Sequence, residues 1–384
     1  MSTARRTEII LNYEGVDITA DVSRFITGFQ YSDVTVSDEM DALAVNFENV
    51  AGLWSGGWFP ERGAKLQAAI ECHNWFKPGE TLRRECGTFE IDDITDEGPP
   101  STFTISALAV GITHPIRRQE NSQPWENIPV RTILNEIAAK NGFELKWYSN
   151  YNPTIDRMDQ DSESDLAFLR KVCDYAGLRL KITDNAIVAF RGEEFDANPP
   201  ELTIRRGVDG LSHYRFNASS ADVYSACSVS YYDPAANELL EYLYVPDGIS
   251  GSRGGQGGGG ASSDKGAREY DEETRMEIAQ TTSRAPEIQN PAIGQVLKIN
   301  QRVSSLAEAE ELAKASLRNK NMRQVKATLD FMGNIKLYSG MNVLVEGFGR
   351  WDAAPWQIEK IIHDYTKSGG LRTTAELRGI LNGY

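Results

Sequence analysis

The side chains able to do chemistry in this 384-residue chain are few and scattered. Histidine occurs only at His73, His114, His213 and His363. Cys72-His73 is the one tight Cys/His contact, but neighbours in a strand face apart, and a metal site there needs two more ligands from elsewhere. Asp92-Asp93 adjoin in a strand, so their carboxylates are expected on opposite faces, unable to share a substrate. Asp159-x-Asp161-x-Glu163-x-Asp165 resembles the opening of a calcium loop. Ser164 stands where that loop needs glycine, and Arg170 where it needs the closing glutamate, so the segment reads as an acidic helix start.

Nucleophile and phosphate signatures are missing as well. No Gly-x-Ser-x-Gly elbow, HExxH or Walker sequence occurs. The run Gly257–Gly260 has no strand leading in and no Gly-Lys-Ser/Thr leading out, so it is not a phosphate cradle. Cys72, Cys86, Cys173 and Cys227 form no CxxC pair and read as buried thiols. Trp54-Ser-Gly-Gly-Trp58-Phe59 is the densest aromatic cluster; a sugar could stack there, though core or subunit packing is the simpler account. The sequence thus assigns no catalytic, cofactor-binding or metal-binding residue. It predicts a structural protein and not an enzyme.

Bulk properties narrow the class. Apolar residues make up 40% and charged residues 25%, a globular balance, and the length predicts two or three domains. A net charge of −15 suits a chain that does not grip a phosphate backbone, although a carboxylate-lined passage would keep nucleic acid from sticking. No apolar run reaches the roughly 18 residues that span a bilayer. The opening residues lack a block suited to a secretion signal. The chain is therefore expected to stay where it is made, or to leave inside an assembly or by lysis.

The elements that position these side chains are mostly strands. Leu43, Val45 and Phe47 alternate with Ala44 and Asn46, and Phe103, Ile105 and Ala107 with Thr104 and Ser106, the period of a strand with one buried face. Gly56-Gly57, Pro78-Gly79 and Gly98-Pro99-Pro100 mark turns. The texture changes after His114. A helix is expected from Pro129, in its first turn, to Lys140, with Ile133, Leu134 and Ile137 as its stripe and Asn141-Gly142 as its end. A second is expected from a Ser164 cap to Gly177 as the residue after the C-cap, with stripe Leu166, Phe168, Leu169, Val172 and Cys173. Short strands follow at 177–182 and 186–190. Beta texture returns at 223–232 and 239–245. The glycine-rich stretch 248–266 has almost nothing to bury and is expected to be a mobile loop. A third helix is expected over 306–320, with Ser305 and Glu308 as a capping box. Strands resume at 324–331, 342–347, 356–363 and 372–377.

The two ends echo each other. Gly63-Ala-Lys-Leu66, Thr88-Phe-Glu-Ile-Asp-Asp-Ile94 and Thr102-Phe-Thr-Ile-Ser-Ala-Leu108 occur in that order near the start. Gly340-Met-Asn-Val343, Pro355-Trp-Gln-Ile-Glu-Lys-Ile361 and Arg372-Thr-Thr-Ala-Glu-Leu377 occur in the same order near the end. Unequal gaps make a poor repeat period, but a duplicated small barrel fits. The fold class is therefore mainly β with an α+β insert: two related β-barrel domains, at 1–115 and 201–384, flank a small helix-containing domain at 116–200.

Several of these segments together resemble the phage late control protein D family, the baseplate central hub of contractile tails, which is similar to the hub portion of type VI secretion spike proteins. Asp161-Ser-Glu-Ser-Asp-Leu-Ala-Phe-Leu-Arg-Lys-Val-Cys-Asp-Tyr-Ala-Gly177 is similar to the family's Glu-Ser-Asp-x-x-Phe-Leu-x-x-Leu helix ending in glycine. Val130–Leu134 and Ala139–Phe143 precede it, as in the family. Ala309–Ala313, Gly340, Gly347-Phe-Gly349, Trp356–Glu359 and Thr373–Leu377 extend the likeness, which covers about residues 30–380. The resemblance implies two β-barrel tube domains per chain and a homotrimeric ring of six barrels. Its partners would be a tail tube or tube-initiator protein, a spike and surrounding baseplate proteins, with DNA passing through the lumen without specific contact. It implies a virion tail baseplate assembled in the host cytoplasm, with spike and lysozyme functions on separate proteins, and no cofactor. The glycine-rich loop departs from the family pattern. The alternatives are a tail-associated hydrolase of peptidoglycan or polysaccharide, which needs two carboxylates in a cleft, and a carbohydrate-binding tail adaptor built on Trp54–Phe59.

Overall fold

The computed structural model describes residues 4–35, 39–111, 114–183, 185–219, 223–233, 238–246, 295–303 and 306–381. The glycine-rich stretch 248–266 and the expected cap Ser305 lie outside them. Strands β1 (Arg6–Tyr13), β2 (Val16–Asp17), β3 (Ile26–Val34), β4 (Ala42–Glu48), β5 (Lys65–His73), β6 (Thr81–Glu97) and β7 (Thr102–Leu108) form the first unit. Alternation drives it: Leu43, Val45, Phe47, Phe103, Ile105 and Ala107 are all buried, in one apolar cluster with Leu11, Phe29 and Phe89.

A helical region follows. Strands β8 (Glu120–Pro129), β9 (Glu144–Tyr148), β10 (Thr154–Ser164), β11 (Arg179–Ile182) and β12 (Ala186–Phe190) make a β8–β10 ribbon and a β11-β12-β9 sheet. The helix Val130–Lys140 starts one residue later than the sequence suggests: Pro129 is its N-cap, with extended ψ of 140°. The helix Asp165–Tyr175 is capped as expected, by the Ser164 hydroxyl accepting from Ala167 N, and Gly177 follows with φ +65°.

Strands β13 (Leu202–Arg205) and β14 (Leu211–Ala218) begin the second unit. Next come β15 (Ala226–Asp233), β16 (Glu238–Tyr244) and β17 (Val296–Val303), a separate three-stranded sheet that packs its own apolar cluster against the helix Leu306–Asn321. The second unit then resumes with β18 (Val325–Phe331), β19 (Asn342–Glu346), β20 (Trp356–Thr366) and β21 (Gly370–Gly379).

The echo in sequence is an echo in topology. The first unit is ordered β3-β4-β7-β6-β5-β1 and the second β14-β18-β21-β20-β19-β13. Register agrees in detail. In the first unit Ile91 faces Ala107 and Asp93 faces Ser106, a bulge at Asp92; in the second Ile358 faces Leu377 and Lys360 faces Glu376, the same bulge at Glu359. A second shared bulge lies between Ile26 and Gly28 in β3 and between Leu211 and His213 in β14. The bulge also corrects the reading of Asp92-Asp93, because simple alternation does not hold across it. Neither unit is a barrel closed by strand pairing: among the described residues β1 does not pair with β3, nor β13 with β14. The units join edge to edge through β3 and β20, antiparallel, from Lys360 opposite Val34 to Thr366 opposite Gly28.

Candidate junction and assembly site

Two clusters of buried charged side chains lie where the units meet. Asp33 ends an inward row of β3 after Phe29 and Tyr31 and is 5% exposed. It accepts from Lys181 Nζ of β11 at 2.6 Å, Arg84 Nη2 of β6 at 3.0 Å, and the Ser339 amide just before β19 at 3.1 Å. Three regions of the chain thus meet on one carboxylate. Burial pushes the Asp33 carboxyl up, but Lys181 and the Ser339 donors outweigh it and hold it below the usual range. Asp41, 3.2 Å from Lys181 Nζ, is pushed up to about 6 by burial and by the nearby Asp33 charge. Burial alone would lower Lys181, yet the two carboxylates hold it above its ordinary value.

A second cluster centres on Asp196, after β12. It accepts from Arg378 Nη2 of β21 at 2.6 Å and from Arg318 of the helix Leu306–Asn321. Arg378 is fully buried and also donates to Gln357 Oε1. Arg179 lies close by, 3.6 Å from Glu359, and is depressed to about 10 by burial and by the positive charge of Arg378. Arg318 is lowered by burial, with Asp196 opposing. Asn342 donates to the carbonyls of Phe195 and Asn198, tying β19 to the same corner.

Chemically these clusters act as fastenings. Asp33 and Asp41 have acidities driven apart, the pattern of an acid and a base in hydrolysis. They are only 5% and 8% exposed, and Lys181 bridges them. Sequence reasoning missed both clusters. The available signal was an aspartate at the end of the row Phe29, Tyr31, Asp33, and an arginine in the apolar strand Leu377-Arg378-Gly-Ile.

The residues singled out from sequence are dispersed. Cys72, Cys86, Cys173 and Cys227 are free and buried, with Cys72 raised to about 11 and Cys227 to about 12 by burial. His73 Nε2 lies 3.5 Å from Glu8 and 3.7 Å from Glu71, on the face opposite Cys72, but Glu71 is already held by Arg83 at 2.8 Å and Glu8 by Arg6 at 3.3 Å. His114 Nδ1 accepts from Ile116 N. The acidic run is corrected: Asp159–Ser164 belongs to β10, and only Asp165 starts the helix. Asp165 is buried, accepting from Asn121, Asn141 and Gln160 beside Lys140; burial raises its carboxyl, and these donors bring it below the usual range.

The aromatic cluster splits. Trp54 is buried and stacks on Phe47, with centroids 4.0 Å apart. Trp58 and Phe59 remain 37% and 57% exposed at the rim of an apolar cavity of about 290 Å3 lined also by Leu11, Tyr13 and Leu66. Trp58 stands edge-on to Trp54 at 82°, so the two rings do not form the flat platform that sugar stacking needs. In the second unit Phe216, Phe348, Trp351 and Trp356 form a comparable aromatic group.

No protein-family model and no curated protein matches this sequence. Solved structures do match its fold. A tail protein from Neisseria meningitidis superposes with a TM-score of 0.64 at 11% identity, over 97% of this chain and 96% of that one. The 43 kDa tail protein of prophage MuSo2 from Shewanella oneidensis gives 0.62 at 14% identity, over 97% and 98%. An Escherichia coli component of the type VI secretion system, itself described as similar to the bacteriophage T4 tail proteins gp27 and gp5, gives 0.51 at 10% identity over 97% and 78%. The chain has the fold of these tail and secretion proteins along nearly its whole length.

Proposed function

We propose that this chain is the baseplate hub of a phage or phage-like contractile tail. Three copies form a ring that adapts a sixfold tail tube to a threefold spike and leaves a channel for the genome. Residues 1–115 and 201–384 supply the two tube domains, and 116–200 the domain between them.

The observation that carries this reading is the duplicated strand order fused by a continuous β3–β20 seam. A symmetry adaptor must look threefold to one neighbour and sixfold to another, and two equivalent units per chain in three chains meet that need. The fold shared with tail proteins supports the same role. On the tube side lies a tube or tube-initiator protein, on the other the spike, with baseplate proteins outside. The net charge of −15 suits a channel wall where carboxylates outnumber basic groups, so that DNA slides without sticking.

Solution mass of the purified chain tests the ring: a trimer is expected, and a strict monomer at high concentration overturns it. A symmetry-resolved image of the particle tests the position between tube and spike, and a basic lumen in that map overturns the channel proposal.

A further inference from the structure

The internal duplication identifies the strands through which one copy meets the next. In the first unit β3 is paired on both sides, with β4 and with β20. Its counterpart β14 is an edge strand, paired with β18 alone among the described residues. The difference shows in burial: Phe29 and Tyr31 are 1% and 4% exposed, whereas Tyr214, the counterpart of Phe29, is 38% exposed, and His213, Arg215 and Asn217 are open to solvent. The other side of the seam repeats the asymmetry. Beyond the end of β19, β20 offers Lys360–Thr366 to β3. Its counterpart in β6, from Asp93 to Glu97, pairs with β7 on one side and with no strand on the other among the described residues.

We propose that β14 of one copy pairs antiparallel with the 93–97 segment of β6 in the next copy, repeating between chains the β3–β20 seam within the chain. The inference rests on the ring reading and specifies its interface. The two shared bulges fix the register. Lys360 opposite Val34 becomes Asp93 opposite Ser219, so Ile94 faces Ala218, Thr95 faces Asn217, Asp96 faces Phe216 and Glu97 faces Arg215.

Charge supports this pairing over an arbitrary one. The β6 edge carries Asp93, Asp96 and Glu97, and β14 carries His213 and Arg215. The derived register sets the exposed Glu97 directly against the exposed Arg215. Opposite charges across a ladder stabilise it, and like charges oppose it. Unpaired edges are a standing hazard of aggregation unless covered, and here each covers the other. The contact is head-to-tail, using two different edges, so it builds a closed ring if the rotation closes.

The test uses the full chain with Thr95→Cys and Asn217→Cys together. Directly opposed strand positions have Cα atoms about 4.5–5.5 Å apart, within disulfide range, and the four native cysteines are buried. Mild oxidation is expected to give covalent species up to three chains on a non-reducing denaturing gel. Thr95→Cys with Ser212→Cys, displaced by roughly 17 Å along the strand, is expected not to link. A trimer by mass that fails to link, or links equally in the displaced pair, overturns the seam and leaves the ring standing. A monomer by mass overturns the ring and the seam with it. Independently, Glu97→Arg is expected to weaken trimer association by about fivefold, and adding Arg215→Glu to restore it; no change in either variant overturns the register.

Discussion

The first and second units share a strand order and two bulges but differ in what completes them. In the first, β1 runs antiparallel to β5, and β3 is sealed by β20. In the second, β13 reaches the equivalent place from the helical region and lies parallel to β19, while among the described residues β14 has no second partner and a whole sheet-and-helix module separates it from β18. Strand order and register survive the divergence; direction of entry and loop content do not. The ladder fixes which backbone groups must be satisfied, whereas a connection need only span its gap.

The largest expected break in that comparison comes from Asp196→Ala. It strips the shared acceptor from two buried arginines, and breaking a buried pair costs about 3–5 kcal/mol. Urea unfolding followed by tryptophan fluorescence is expected to show this loss, since Trp356 lies in the same unit as Arg378. Stability within about 1 kcal/mol of the parent would remove the cluster from the second unit's support.

Acid should separate the two seam positions next. His363 in β20 is fully buried, and its ring is held down to about 3 by burial and by the Arg84 charge. Its folded value lies below its unfolded one. The stability it contributes is therefore complete above about pH 6.5 and falls as pH drops toward 3. Asp33 adds a loss of the same sign below the ordinary carboxylate range; Asp41, raised to about 6, works the other way between its unfolded value and 6. His363→Gln is expected to flatten the decline by roughly 3 kcal/mol at pH 4. The matching position in β6 is Asp96, whose carboxylate instead accepts from Ser55 Oγ at 2.6 Å and Asn49 Nδ2 at 3.3 Å within the first unit. Chemical denaturation of parent and His363→Gln at pH 7 and pH 4 reads the difference.

Glycines give the smallest and most local contrast. Gly333 sits at φ +74°, and a Cβ there would meet Trp75 Cζ2 at 2.5 Å and the Leu371 carbonyl at 2.9 Å. Trp75 Nε1 donates to the Gly333 carbonyl at 2.6 Å, joining the first unit to the second. Gly333→Ala is expected to cost about 2–3 kcal/mol through strain and overpacking. Gly15→Ala, at φ +81° but with nothing within 4 Å, should cost about 1 kcal/mol. Equal losses in thermal melts would mean that backbone conformation alone sets both effects.

Local features were legible in the sequence because their causes are local. Ser164 and Gly177 bound their helix through hydrogen bonds and φ preferences that operate within a few residues. Alternation at Leu43-Val45-Phe47 identified a buried face for the same reason. The paired bulges escaped notice, since an extra residue is defined only against a partner strand. Asp159–Glu163 misled because carboxylates favour a helix start, while cross-strand pairing with β8 placed them in β10. The junction clusters were beyond reach: Asp33 meets Lys181 and Ser339, and Asp196 meets Arg318 and Arg378, at separations that no local pattern encodes.

The seam between β3 and β20 also sets an order of events during synthesis. Strand β3 leaves the ribosome early, and its partner lies more than 300 residues further on, as the Thr35–Glu359 separation of 324 shows. At roughly 5–20 residues per second, the outer edge of β3 waits about 15–65 s for its cover. During that interval it is an exposed template for pairing with another nascent chain. Asp33, Gln30 and Ser32 lie along this stretch. A carboxylate short of its partners is a costly group to bury against a stranger, and until Lys181 and Ser339 are made Asp33 has only Arg84 of the first unit to answer it.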